Sequence, residues 1–128
     1  MDKISNENLL NRLHPDSNSV GWLLRHIAEV ELLFAKNVFD RDLNLKAQTI
    51  GSIAKDRGQF DQLEPLVELT DRAEKELGRA ILDVEDWEEK VTTAEFGTIT
   101  KKEALARITT HTAYHAGQIS LALKYGSR

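Results

Sequence analysis

The sequence predicts an all-α fold, a small helical bundle, on three observations. Three long segments repeat apolar residues at the helical period. Capping or stop signals flank those segments. The threonine-rich stretch from Val91 to Thr100 has extended character, but no strand pairing is legible in it. The chain has 128 residues, which is one domain (1–128) by size and long enough to bury a core without disulfides.

The first helix is predicted from about Ser19 to Phe39. Val20, Leu23, Ile27, Val30 and Phe34 recur at steps of three and four, the spacing of one helix face. Ser17 or Ser19 caps it, because a hydroxyl there accepts from a free first-turn amide. The second helix runs from about Gln62 to Leu82, with Leu66, Ala73, Leu77 and Ala80 as its inner stripe. Pro65 falls in its first turn, where a missing N–H breaks no helical bond. The third runs from about Lys101 to Lys124. Thr100 and Glu103 have capping-box spacing, and Gly126 lies near its end. A short helix is also expected from Ile4 to Leu13, stopped by Pro15.

Composition narrows the function classes. Hydrophobic residues at 41% and charged residues at 30% are a globular mixture. A net charge of -4 speaks against a nucleic-acid role, which needs a basic face, and supplies no polybasic membrane anchor. The absence of cysteine removes disulfides, thiolate zinc sites and cysteine nucleophiles together. The polar start from Met1 to Glu7 has no apolar segment of secretory type, and the longest apolar runs, such as Leu32–Ala35, are too short for a bilayer. The expectation is a soluble, cytoplasmic protein.

The chemistry concentrates on the third helix. His111 and His115 stand four apart and are therefore stacked neighbours, a geometry in which two imidazoles can share one ion. Its inner stripe reads Ala104, Ile108, His111, His115, Gln118 or Ile119, and Ala122. Histidines there need hydrogen-bond partners or a metal. His26, beside the inner stripe of the first helix, offers a third ligand, and three neutral imidazoles plus water make an open site for a divalent ion. Two readings stay open on pattern alone: metal ligands, or core histidines satisfied by neighbours. His14 precedes Pro15 and reads as surface. A carboxylate-rich di-iron bundle is set aside, because no glutamate stands three before a histidine.

Two stretches carry a resemblance to a known family. Ser17–Glu31 reads SNSVGWLLRHIAEVE and Ile108–Ile119 reads ITTHTAYHAGQI. Together they resemble the DinB superfamily, also described as YfiT-like metal-dependent hydrolases, over roughly residues 4 to 125. The family pattern has one histidine in its second helix and an H-x-x-x-H-x-G-Q segment in its fourth, and His26, His111 and His115 match in type, order and context. The resemblance implies a four-helix bundle holding a divalent metal, commonly zinc or nickel, between those three histidines. It implies hydrolase or thiol-dependent transferase or isomerase chemistry on a small molecule. A non-catalytic metal- or ligand-binding bundle, or a structural bundle with buried histidines, is the alternative.

This chain departs from the pattern at its start, where about sixteen residues precede Ser17 in place of a long first helix. It is either truncated or a natural short form, so the expected fold is a DinB-like bundle with an abbreviated first helix. An apolar groove left by that helix would seek cover, which predicts a homodimer. Around the histidines, Glu29 and Gln118 are the candidate catalytic or ligand-supporting residues. Glu29 serves as general base or hydrogen-bond acceptor unless it is a solvated charge, and Gln118 bonds a ligand or a histidine. Arg107 reads as a surface charge that could meet an anionic substrate, Trp22 as bundle packing or a pocket wall, and Tyr114 as facing away from the metal.

Overall fold

The computed structural model describes residues 3–51 and 54–128. Met1 and Asp2 of the polar start, and Ser52 and Ile53 of the first connection, lie outside the described residues. Among the described residues there are three helices and one hairpin: α1 (Val20–Asn37), α2 (Leu63–Leu82), β1 (Lys90–Thr93), β2 (Gly97–Thr100) and α3 (Lys101–Tyr125). Each predicted long helix is present within two residues of its expected ends.

α1 is the central element. It packs against both α2 and α3, and none of its residues from Val20 to Ala35 is fully exposed. The predicted stripe of five apolar positions was therefore too narrow: Trp22, Leu24, Ala28, Leu32 and Ala35 are buried as well. A helix covered on more than one side needs more than one apolar face.

The fourth, short helix expected over Ile4–Leu13 does not form, so the described residues are not a four-helix bundle. Ser5, Asn6, Asn8 and Asn11 offer the backbone side-chain partners that compete with helical bonds. The Asn8 side chain accepts from the Ser5 amide at 2.9 Å and donates to the Lys3 carbonyl at 2.8 Å. The resulting turns act as caps. The carbonyls of Asn11 and Leu9 accept from the first-turn amides of Val20 and Gly21, at 3.0 and 2.8 Å, and Ser19 Oγ accepts from the Trp22 amide. Asn6 Oδ1 accepts from the Leu63 amide at 2.6 Å, at the start of α2, whose own Gln62 supplies no cap. The segment thus closes two helix ends that would otherwise leave free donors.

Val91–Thr100 does pair. β1 and β2 are antiparallel, with Val91 opposite Ile99 and Thr93 opposite Gly97. β-branched residues suit a pleated surface. The turn is a three-residue loop, and Gly97 takes the left-handed φ of 66° that such loops require. Ile99 anchors the hairpin in the core. The Trp87 and Glu89 carbonyls before the hairpin accept from Lys102 and Lys101, opening α3. Thr100 Oγ1 accepts from the Glu103 amide at 3.1 Å, but Glu103 answers the Thr100 hydroxyl rather than its amide, so half of the capping box forms.

The core is in two parts. One cluster joins Ala28, Leu32 and Ala35 of α1 to Ala73 and Ala80 of α2 and to Ala104 and Ile108 of α3. The other joins Val20, Leu23 and Leu24 of α1 to Leu9, Leu66, Ile119 and Ala122. On both α1 and α3 the histidines fall in the gap between the clusters. Among the described residues no helix is long and apolar enough to cross a membrane.

Candidate metal centre

His26 of α1 meets His111 and His115 of α3 in a closed triangle. Ring centroids stand 4.9 Å apart for His26–His111 and His26–His115, and 4.4 Å for His111–His115. One ring nitrogen from each lies within 4.8 Å of the others. The Nε2 atoms of His26 and His111 are 3.1 Å apart. A zinc–imidazole bond is about 2.0–2.1 Å, so two ligands of one ion lie at most about 4.2 Å apart. The His26–His111 pair satisfies that limit, and small ring rotations bring in a set whose outer bound is 4.8 Å.

Hydrogen bonds fix which nitrogens face the triangle. Thr49 Oγ1 donates its proton to Glu29 Oε1 at 2.6 Å. It can then only accept from His26 Nδ1, 3.1 Å away, which leaves the lone pair of His26 on Nε2. His115 Nδ1 donates to Gln118 Oε1 at 2.6 Å, again leaving Nε2 free. His111 is different: its Nδ1 is buried with no partner among the described residues. Two of the three rings therefore carry the outer hydrogen bonds usual for ligand histidines, and the third carries an unsatisfied atom. Three imidazole nitrogens are a donor set that fits a divalent metal ion.

Glu29 is fully buried, which overturns its reading as a solvated charge. Its carboxylate accepts from Arg25 Nε at 2.5 Å, from the Gln48 amide at 3.0 Å, and from the Thr49 amide and hydroxyl at 2.9 and 2.6 Å. A buried carboxylate needs such a set of donors. It stands behind His26, through Thr49. Thr49, itself buried, is the residue that sequence reasoning missed, since a single threonine in a polar connection gives no pattern. Trp22 stacks on His26 at 4.8 Å and 21°, so it walls the site as well as packing the core. Tyr114 is largely exposed, yet its ring lies 5.1 Å from that of His115. His14 lies apart in an exposed turn, its Nδ1 accepting from the Asp16 amide.

Burial favours the neutral form of His26 and His111, the state in which an imidazole can ligate. His111 is pushed down to about 4, first by desolvation and then by the neighbouring His115 and His26. His26 is lowered by the same loss of water and by His115, with Glu29 and its contact to Thr49 partly offsetting. Away from the triangle, burial raises the Glu31 carboxyl, while a hydrogen bond from Thr112 works against that rise.

The sequence matches the DinB superfamily over residues 1–119. The chain belongs to the DinB superfamily. Among curated proteins none matches it. In this DinB protein the resemblance carried by the two histidine stretches is thus borne out at the level of family. The three histidines of the family pattern form one cluster compatible with a metal ion. Gly117, of the H-x-G-Q segment, has open space where a side chain would stand.

Proposed function

We propose that this protein is a metal-dependent enzyme of the DinB type, a hydrolase or a thiol-dependent transferase acting on a small molecule. His26, His111 and His115 hold the divalent ion, zinc or nickel. The observation that carries the reading is the orientation of two Nε2 lone pairs into one triangle by outer hydrogen bonds, Thr49 to His26 and Gln118 to His115. An ion held there supplies Lewis-acid activation of water or of a thiol near neutral pH. The chain's own groups do the rest. Glu29 and Thr49 set the proton on His26 Nδ1, Gln118 Oε1 accepts the hydrogen bond of His115 Nδ1–H, and Trp22 covers one face of His26 against solvent. Glu29 acts as a positioning residue rather than as a general base, because its oxygens are already engaged by four donor groups.

One observation favours the structural alternative. His26 and His111 are close enough to bond each other directly, at 3.1 Å between Nε2 atoms, so the rings could be satisfied in part without an ion. Metal content of tag-free protein separates the two, measured beside a His111→Ala/His115→Ala double variant. About one equivalent of zinc or nickel in the wild type, absent from the variant, is expected. No metal in the wild type, even after reconstitution, makes the histidines structural and removes the enzyme reading. The further reading that the chain forms a homodimer draws on the exposed Leu121 and Tyr125 of α3.

A further inference from the structure

We propose that the cleft beside the histidines is a substrate subsite for an apolar-bodied anion, with a hydrocarbon or aromatic part packed against the Phe34–Phe96 ring pair and a carboxylate, sulfonate or phosphate at Arg107. The inference takes its place beside a reactive centre from the function proposed above, but its binding chemistry stands on other residues.

Two adjoining cavities open at the triangle, of about 520 and 210 Å³. Val30, Phe34, Phe96 and His111 line both, so they form one cleft with a shared wall. Together they match the size range of small-ligand sites, about 300–1,000 Å³. The walls are chiefly apolar and the polar groups few, the usual division between what binds a ligand body and what orients it. Phe96 comes from the hairpin loop, and its ring packs on that of Phe34, 5.5 Å between centroids, so the pair forms part of the shared wall.

The ends of the cleft differ in charge. Arg107 and Tyr114 line the larger cavity, while Glu95 lines the smaller one, on the side that also contains His26. The Arg107 guanidinium lies 4.8 Å over the Phe96 ring, and among the described residues no carboxylate forms an ion pair with it. Stacking on one face leaves the N–H edge of the fork available, and that edge recognises carboxylate, sulfonate and phosphate oxygens. Glu95 disfavours an anion at the opposite end. The ligand is thereby oriented, its anion at Arg107, its apolar body on the two phenylalanines and its remaining part against His26 and His111.

The test is fluorescence titration of the full chain, with and without chelator, using anilinonaphthalene sulfonate as the apolar anion and phenylnaphthylamine as its neutral counterpart. Arg107→Gln is expected to weaken the sulfonate about tenfold, the scale of one charged hydrogen-bonding contact, and to leave the neutral probe within about twofold. Phe96→Ala, in a surface loop, is expected to weaken both probes at least about fivefold. Near-UV circular dichroism verifies that each variant is folded. Equal sulfonate binding by wild type and Arg107→Gln overturns the proposal, as does indifference of both probes to Phe96→Ala. Metal content is measured on the same samples. The expected probe pattern in a protein that takes up no metal leaves the subsite standing and removes the metal reading, and bound metal without the probe pattern does the reverse.

Discussion

On the α1 side of the triangle, His26 is held by groups brought from far along the chain. Thr49 lies 23 residues away, is fixed in turn by Glu29, and Glu29 is fixed by Arg25 and two loop amides. On the α3 side, His115 is held by Gln118, three residues on in the same helix, and His111 Nδ1 has no partner among the described residues. The first wall is buried and layered, and the second is local and half open to water. Hydrogen bonds removed from solvent are the costlier to break, so the same kind of substitution should do more damage on the α1 side.

The largest effect is expected at Glu29. Glu29→Ala leaves the Arg25 guanidinium and the Gln48 and Thr49 amides facing a void, and removing one partner of a buried pair costs about 3–5 kcal/mol. Urea unfolding measures it; a loss below about 1 kcal/mol would mean that water replaces the carboxylate and that the two walls are alike. Next comes a matched pair. Thr49→Val keeps the shape but removes the acceptor for His26 Nδ1, and a loss of about 10–100-fold in zinc affinity is expected, read by competition with a chromophoric chelator and restored in Thr49→Ser. Gln118→Ala should cost less, about tenfold or under, because water can take over an accessible bond. Equal losses in the two variants would break the comparison.

Acid should act in part through His111, whose Nδ1 lacks a partner among the described residues. The folded value of His111 is about 4 against an ordinary 6.5. Between those limits the unfolded chain binds a proton that the folded chain does not, so stability is fully present above pH 6.5, falls as pH drops toward 4, and levels off below. For a ring only half-buried, solvent screening reduces the loss to about 1–2 kcal/mol. Urea midpoints of chelator-treated protein between pH 7 and pH 4 check this. The slope should flatten in His111→Gln, and an unchanged slope would assign the acid sensitivity to another group.

Much of this site was legible in the residues themselves. The His111–His115 pair, the nearby Gln118 and the mid-helix His26 are visible because a helix puts neighbours at fixed spacings. The DinB likeness rested on the same stretches, and it extends over most of the chain. The threonine of the relay was not legible, since Thr49 belongs to a connection whose path is set by the carboxylate it reaches. The sequence left Glu29 open between a supporting acceptor and a solvated charge, and only the loop that covers it decides for the first.

The fold divides along the same line. Sequence periodicity and caps determined three helices and their ends, because those signals act within a few residues. They also placed the histidines on inward faces. Only the tertiary structure decided that α1 is covered on more than one side, that the asparagine-rich start caps α1 and α2 in place of a fourth helix, and that Val91–Thr100 closes into a hairpin carrying Phe96 to the cleft. Each of those outcomes depends on partners distant in the chain, whose contacts become favourable only once packing has brought them together.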